Sequence, residues 1–193
     1  VLLLVGGCGR DVASPREALK RRALVQNVAS NLIYPVFVSM HEQAAVLKNA
    51  LRVHCDDGAL NDGDVELLQQ HWRTLQTPWH RGQAFRFDRS DVDNLYQSHY
   101  FYYKNGGWAK RADAITTRLN GTGDLDTSTA WPAFQKGMPA LEYILFKLWP
   151  EKGASVRSCA YATAIASTIT TDTQALTQTW QLPDGTSVQH WMD

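Results

Sequence analysis

The side chains best suited to chemistry in this chain are four polar groups on two predicted helices. His80, Gln83 and Arg86 follow one another at intervals of three, so they share a helical face. Glu142 lies on the second helix, within an apolar run. A buried carboxylate must be paired, and we expect Arg86 to be its partner. Glu142 with Gln83 and Arg86 forms either a polar ligand-binding site inside the bundle or a salt bridge that holds two helices in register.

No familiar catalytic motif accompanies these residues. The sequence contains no His-Glu-x-x-His pair, no Gly-x-Ser-x-Gly elbow and no phosphate-binding loop. We therefore predict no catalytic residue. We expect ordinary surface or packing roles, rather than metal ligation, for the other histidines, which are His41, His54, His71, His99 and His190.

The N-terminal residues are typical of the end of a bacterial export signal. An apolar run, too short to span a bilayer, leads through Gly6 and Gly7 to Cys8. This pattern resembles a lipobox, in which small residues admit a peptidase and the cysteine becomes the acylated first residue. We expect residues 1–8 to be a truncated signal and Cys8 to carry a lipid anchor on the periplasmic side of a bacterial membrane. The alternative is a buried N-terminal strand with an incidental cysteine.

Composition and charge narrow the range of partners. The 193 residues include seven Trp and seven Tyr, which is ample material for a packed core. Nineteen basic and nineteen acidic residues give a net charge of zero, without a basic stripe, so we expect no nucleic-acid partner. Cys55 and Cys159 could pair if the fold brings them together, although two small, half-buried thiols are the simpler interpretation.

Hydrophobic periodicity predicts an all-α protein, an up-and-down helical bundle. In the first predicted helix, apolar residues recur every four positions and predict its core face, which Leu47 and Leu51 continue: Leu24, Val28, Leu32, Val36 and Met40. Asp62 or Asp64 can cap the second predicted helix. In the last predicted helix the apolar residues that share one face are Tyr161, Ile165, Ile169, Leu176 and Trp180. Pro35 should kink or break that helix near Tyr34. The predicted helices cover residues 15–53, 65–85, 108–119, 138–149 and 156–180, whereas residues 89–105 fit either a short helix or a packed loop.

Two segments resemble the imelysin family. The first runs from Trp72 through Trp79 to Phe87 and resembles the family segment in which two tryptophans precede an acid-Ala-Phe signature. The second, Gly137-Met138-Pro139-Ala140-Leu141-Glu142, resembles the hallmark Gly-x-His-x-x-Glu. The resemblance covers residues 24–180. It implies a helical domain over residues 15–182 and the start of a truncated C-terminal region at residues 183–193, with the second of the family's two bundles missing.

The resemblance also implies a metal site that this chain has partly lost. The hallmark histidine and glutamate are suspected metal ligands in the family, and the implied ion is iron or zinc. Pro139 replaces the histidine, and Gln83 replaces the acid of the first segment. Glu142 remains, and His80 could substitute for the missing histidine.

Three functions are compatible with this pattern. The resemblance favours a cell-envelope binding or accessory protein of iron uptake, which would work with other iron-uptake proteins of the envelope. The second is a metallopeptidase of the type for which the family is named, although loss of the histidine argues against an enzyme. The third is a structural or interaction module that has lost its metal site.

Overall fold

The computed structural model describes residues 14–56, 59–86, 90–99, 107–123, 125 and 133–181. These residues form helices and short connections, without a strand among them, so the all-α prediction is confirmed. The predicted signal, Cys8 and residues 183–193 lie outside the described ranges. In chain order the elements are α1 (Pro15–Val28), a first π-helical segment (Ala29–Ile33), α2 (Tyr34–His54), α3 (Asp62–Gln83), α4 (Ser90–His99), α5 (Gly107–Asn120), α6 (Ala133–Lys136), α7 (Met138–Tyr143), a second π-helical segment (Ile144–Leu148), α8 (Trp149–Lys152) and α9 (Val156–Trp180).

Both π-helical segments accommodate a proline. Pro35 and Pro150 each occupy the second position after the end of a π segment. A proline ring clashes with the carbonyl four residues earlier, and those carbonyls belong to Asn31 and Phe146, the central residues of the two segments. The widened turn therefore lets the helix continue past the proline. Pro35 does distort the helix as predicted, whereas Pro150 lies inside a helical run that the sequence pattern ended at Trp149.

The predicted core face of the first helix is only partly correct. Leu24 is 65% exposed and Leu32 is 57% exposed, and α1 has no buried residue. The buried face consists of Ala29, Ile33, Phe37, Met40, Ala44, Leu47 and Leu51. The strict four-residue spacing explains the difference, because each step of four residues drifts about 40° around a helix with 3.6 residues per turn.

α3 is the amphipathic helix that the sequence predicts. Leu68, Trp72, Leu75 and Trp79 are all buried along one stripe. The helix begins with Asn61 as its N-cap, which accepts a hydrogen bond from the Asp64 backbone amide at 3.0 Å. The predicted cap residues, Asp62 and Asp64, lie in the first turn, where acids complement the helix dipole.

The core lies where α2 packs against α3 on one side and α9 on the other. All five residues predicted for the buried face of α9 are buried: Tyr161, Ile165, Ile169, Leu176 and Trp180. Phe37 of α2 contacts Trp180, with ring centroids 5.5 Å apart. Cys55 and Cys159 form a disulfide that joins the end of α2 to the first turn of α9, so the interpretation as two free thiols is wrong.

The continuous helical run Pro15–His54 is long and apolar enough to cross a membrane by length and composition alone. The same property is found in core helices of soluble bundles and in signal sequences. In this fold one face of the α2 part of the run is buried, and α2 packs against α3 and α9.

Candidate functional site

The hallmark segment forms the start of α7. Gly137 is the N-cap residue, with Met138 and Pro139 as the first two helical positions. Pro139 is buried, and proline suits this position because the amides of the first turn have no partner within the helix. Glu142 follows one turn later and is half-buried. Proline therefore suits the start of this helix, at the position where the hallmark Gly-x-His-x-x-Glu has a histidine.

Two side chains of α3 hold the hallmark segment in place. Trp72 Nε1 lies 3.4 Å from the Met138 carbonyl oxygen, and Gln69 Nε2 donates to the Leu145 carbonyl at 2.8 Å. The Trp72 ring also packs edge-on against Phe146, with centroids 5.1 Å apart. The segment therefore lies beside the first half of α3.

His80 and Gln83 lie near the other end of α3. His80 is exposed and Gln83 is half-buried. At 1.5 Å per residue they lie about 12 and 16 Å further along the helix axis than Trp72. The contacts between the hallmark helix and α3 that Trp72 and Gln69 make thus lie nearer the start of α3 than His80 and Gln83 do.

Arg86 has a different partner from the one that the sequence suggests. Its Nε donates to Asp93 Oδ1 at 2.7 Å, and its guanidinium lies 5.4 Å from the centroid of the Tyr96 ring. Both partners belong to α4, so Arg86 connects the end of α3 to that helix. The expected Arg86–Glu142 pair is therefore wrong, because the ion pair of Arg86 is made with Asp93.

The residues of the implied metal site do not fit a metal ion. Pro139 has no donor atom, and the described part of the chain contains no group of three His, Cys, Asp or Glu residues placed to hold an ion. Stable protein sites for zinc or iron need three or more such ligands. Glu142 alone does not make a site.

Sequence reasoning missed a buried histidine beside the hallmark segment. His99, at the end of α4, is 0% exposed, and its Nε2 lies 2.6 Å from Oδ2 of Asp172 on α9. Its Nδ1 has no hydrogen-bond partner among the described residues. No local signal could reveal the pair, because the two residues are 73 positions apart.

The glycine of the hallmark has a structural role next to this histidine. A β-carbon on Gly137 would overlap the backbone of His99, so only glycine permits this approach of the α6–α7 turn to α4. Gly82 is similarly confined: a β-carbon there would lie 2.5 Å from the Tyr96 hydroxyl. Part of the family-like pattern is therefore a requirement of packing.

Comparison with solved structures places this fold. An imelysin-like protein from Psychrobacter arcticum 273-4 superimposes with a TM-score of 0.73 at 20% identity, covering 89% of this chain and 52% of that one. A putative iron-regulated protein A precursor from Parabacteroides distasonis ATCC 8503 gives a TM-score of 0.63 at 22% identity, covering 92% of this chain and 49% of that one. The chain spans about half the length of these two proteins.

Sequence comparison agrees with the structural likeness. No curated protein matches the chain. The sequence model of the imelysin family matches residues 33–192, which is most of the chain. This family is named as a peptidase family. The chain belongs to the imelysin family.

Proposed function

We propose that this chain is a cell-envelope protein that serves iron handling as a binding or accessory component. The observation that carries the proposal is the combination of an imelysin fold with a buried proline in place of the hallmark histidine. Membership of the imelysin family supports a role in the cell envelope, and the proline argues against coordination of a metal ion by the hallmark residues. The name of one structural neighbour, an iron-regulated protein A precursor, supports the connection with iron.

The disulfide supports an exported location. Disulfides such as Cys55–Cys159 form and persist in oxidising compartments, including the bacterial periplasm, and are rare in the cytosol. The lipobox-like residues that end at Cys8 point to the same compartment. We therefore propose a periplasmic protein held to a bacterial membrane through acylated Cys8, with other envelope proteins of iron uptake as its partners.

Expression tests the connection with iron. We expect the amount of the protein to rise several-fold when cells are starved of iron, and to return to its basal amount when iron is restored. A level that does not change with iron supply would contradict the proposal. Labelling with a radioactive fatty acid, compared between the natural chain and Cys8→Ala, tests the anchor independently.

Metal titration tests the hallmark. If Glu142 anchors a site for iron or zinc despite Pro139, calorimetry of the purified protein should show micromolar binding, about −8 kcal/mol, that is lost in Glu142→Ala. We expect no such binding. Glu66→Ala, a change at an exposed position of α3, is the matched control, because it removes the same charge from a helix surface.

A metallopeptidase has less support from the side chains. Such an enzyme needs a metal-bound water and a general base held together, and Pro139 contributes neither. We expect no peptide cleavage by the purified chain with added zinc or iron. Cleavage that disappears in Glu142→Ala would favour the peptidase over the binding protein.

A further inference from the structure

A cavity of about 440 Å³ lies between the C-terminal end of α5 and the first turn of α9. Its polar side chains are those of Thr117, Arg118, Gln135 and Arg157. The guanidinium group of Arg157 thus lies in a cavity whose described lining contains no carboxylate.

Among the described residues, the hydrogen bonds of Arg157 are made to backbone carbonyl groups, which are neutral. Its Nη2 donates to the Arg118 carbonyl at 3.0 Å and to the Gly123 carbonyl at 2.8 Å. These bonds satisfy carbonyls at and just beyond the end of α5, as basic side chains often do. They leave the positive charge of Arg157 without a carboxylate partner among the described residues.

The Nε–H group of Arg157 is a hydrogen-bond donor without an acceptor among the described residues, and it is buried. A buried donor on a charged group destabilises the fold when it lacks an acceptor. An anion in the cavity could accept from this atom and offset the charge at the same time.

The rest of the lining is fixed in position. Arg118 Nη2 lies 3.4 Å from Oε1 of Gln135, and the Gln135 carbonyl accepts a hydrogen bond from the Tyr161 hydroxyl. Burial raises the pKa of Tyr161, so this hydroxyl stays neutral at physiological pH and supplies no counter-charge. Gln135 and Tyr161 therefore add no negative charge to the cavity that holds Arg157.

We propose that this cavity binds a small oxyanion, a carboxylate or a phosphate, through Arg157 with Arg118 and Gln135. The planar guanidinium fork matches the paired oxygens of both groups, which makes this one recognition chemistry with two possible sources. The inference is independent of the proposed role in iron handling, since it uses neither Glu142 nor a metal.

Side-chain NMR tests the proposal at the atom concerned. In ¹⁵N-labelled protein, titration with inorganic phosphate and, separately, with citrate is carried out at constant ionic strength balanced by chloride. We expect saturable binding of at least one of the two anions, with a Kd below about 1 mM, and a shift of the Arg157 Nε–H signal that follows the same curve. The responding anion identifies the source.

Arg157→Lys is the central variant, because it keeps the charge and loses the fork. We expect binding to weaken at least tenfold, while Arg21→Gln, which removes one cation from the exposed α1, leaves binding unchanged. If Arg157→Lys loses helical content, Gln135→Ala replaces it; this change removes one polar contact and keeps the backbone carbonyl that Tyr161 uses.

Three results would overturn the proposal. The first is a shift that grows without saturation for both anions, and the second is equal affinity in the natural chain and the folded variant. The third is binding that is absent in the natural chain and present in Asp124→Asn. Asp124 follows Gly123 in the sequence, so that outcome would mean that the chain's own carboxylate neutralises the arginines.

Discussion

Gly137 lies so close to His99 that a β-carbon on Gly137 would overlap the backbone of His99. The contact joins the turn before α7 to the end of α4, and backbone atoms on the far side cannot move aside as a flexible side chain can.

We therefore expect Gly137→Ala to destabilise the protein by roughly 1–3 kcal/mol, the usual cost of overpacking a tight interior. Urea unfolding followed by circular dichroism measures the difference. Gly123→Ala is the matched control, because a β-carbon there meets no atom within 4 Å. Equal stability of the two variants would mean that the helices separate freely at this contact.

Loss of the disulfide should lower stability more than the loss of a single hydrogen bond or packing contact. The bond between Cys55 and Cys159 spans 104 positions, and a loop of about 100 residues corresponds to roughly 4.7 kcal/mol of chain entropy in the unfolded state. We expect Cys55→Ala with Cys159→Ala to lose up to about that amount in urea unfolding. Reductant should destabilise the natural chain and leave the double variant unchanged; an effect on both would point to another cause.

The buried histidine depends on Asp172 for its only hydrogen bond among the described residues. Asp172→Ala would leave both ring nitrogens of His99 without a partner, which costs about 1–3 kcal/mol. Asp172→Asn should cost less, because its amide oxygen can still accept from Nε2. Thermal unfolding ranks the two variants against Asp113→Ala, which removes an exposed carboxylate from α5. If both Asp172 variants match that control, the pair does not contribute to stability.

The protein should lose stability at alkaline pH because the Tyr161 hydroxyl is buried. Burial raises the pKa of this hydroxyl above the ordinary value of 10.0, so the folded state keeps a proton that the unfolded state releases. The contribution of this proton to the free energy of unfolding is fully present below about pH 10. It is lost as the pH rises further, by about 1.4 kcal/mol per pH unit. Tyr161→Phe should lack this loss. In an absorbance titration of tyrosinate, the natural chain should show a late-ionising tyrosine that is missing in the variant.

Long, uninterrupted helices could be predicted from the sequence. α9 carries a single apolar stripe over 25 residues, and every residue predicted for its core face, from Tyr161 to Trp180, is buried. Periodicity succeeds there because nothing disturbs the 3.6-residue repeat. It fails in the first helix, because residues spaced strictly by four, such as Leu24 and Leu32, drift around the helix and α1 buries no residue.

Contacts between distant parts of the chain could not be predicted. The disulfide and the His99–Asp172 pair join positions that no local pattern connects, and both follow from the packing of α9 on its neighbours. Arg86 illustrates the same limit. A basic residue near the end of α3 could pair with either carboxylate, and α4 brings Asp93 within reach.

The π segment at Ala29–Ile33 also limits where insertions and deletions can occur in this helix during evolution. Each residue added to or removed from a helix turns everything beyond it by roughly 100° about the axis. A one-residue deletion in this segment would therefore turn Ala29 away from the core and restore the regular helical turn that clashes with the Pro35 ring. A deletion within α1, which has no buried residue, would instead leave the buried contacts of the segment and of α2 in place. We therefore expect homologues to differ in length before Ala29 rather than within Ala29–Ile33.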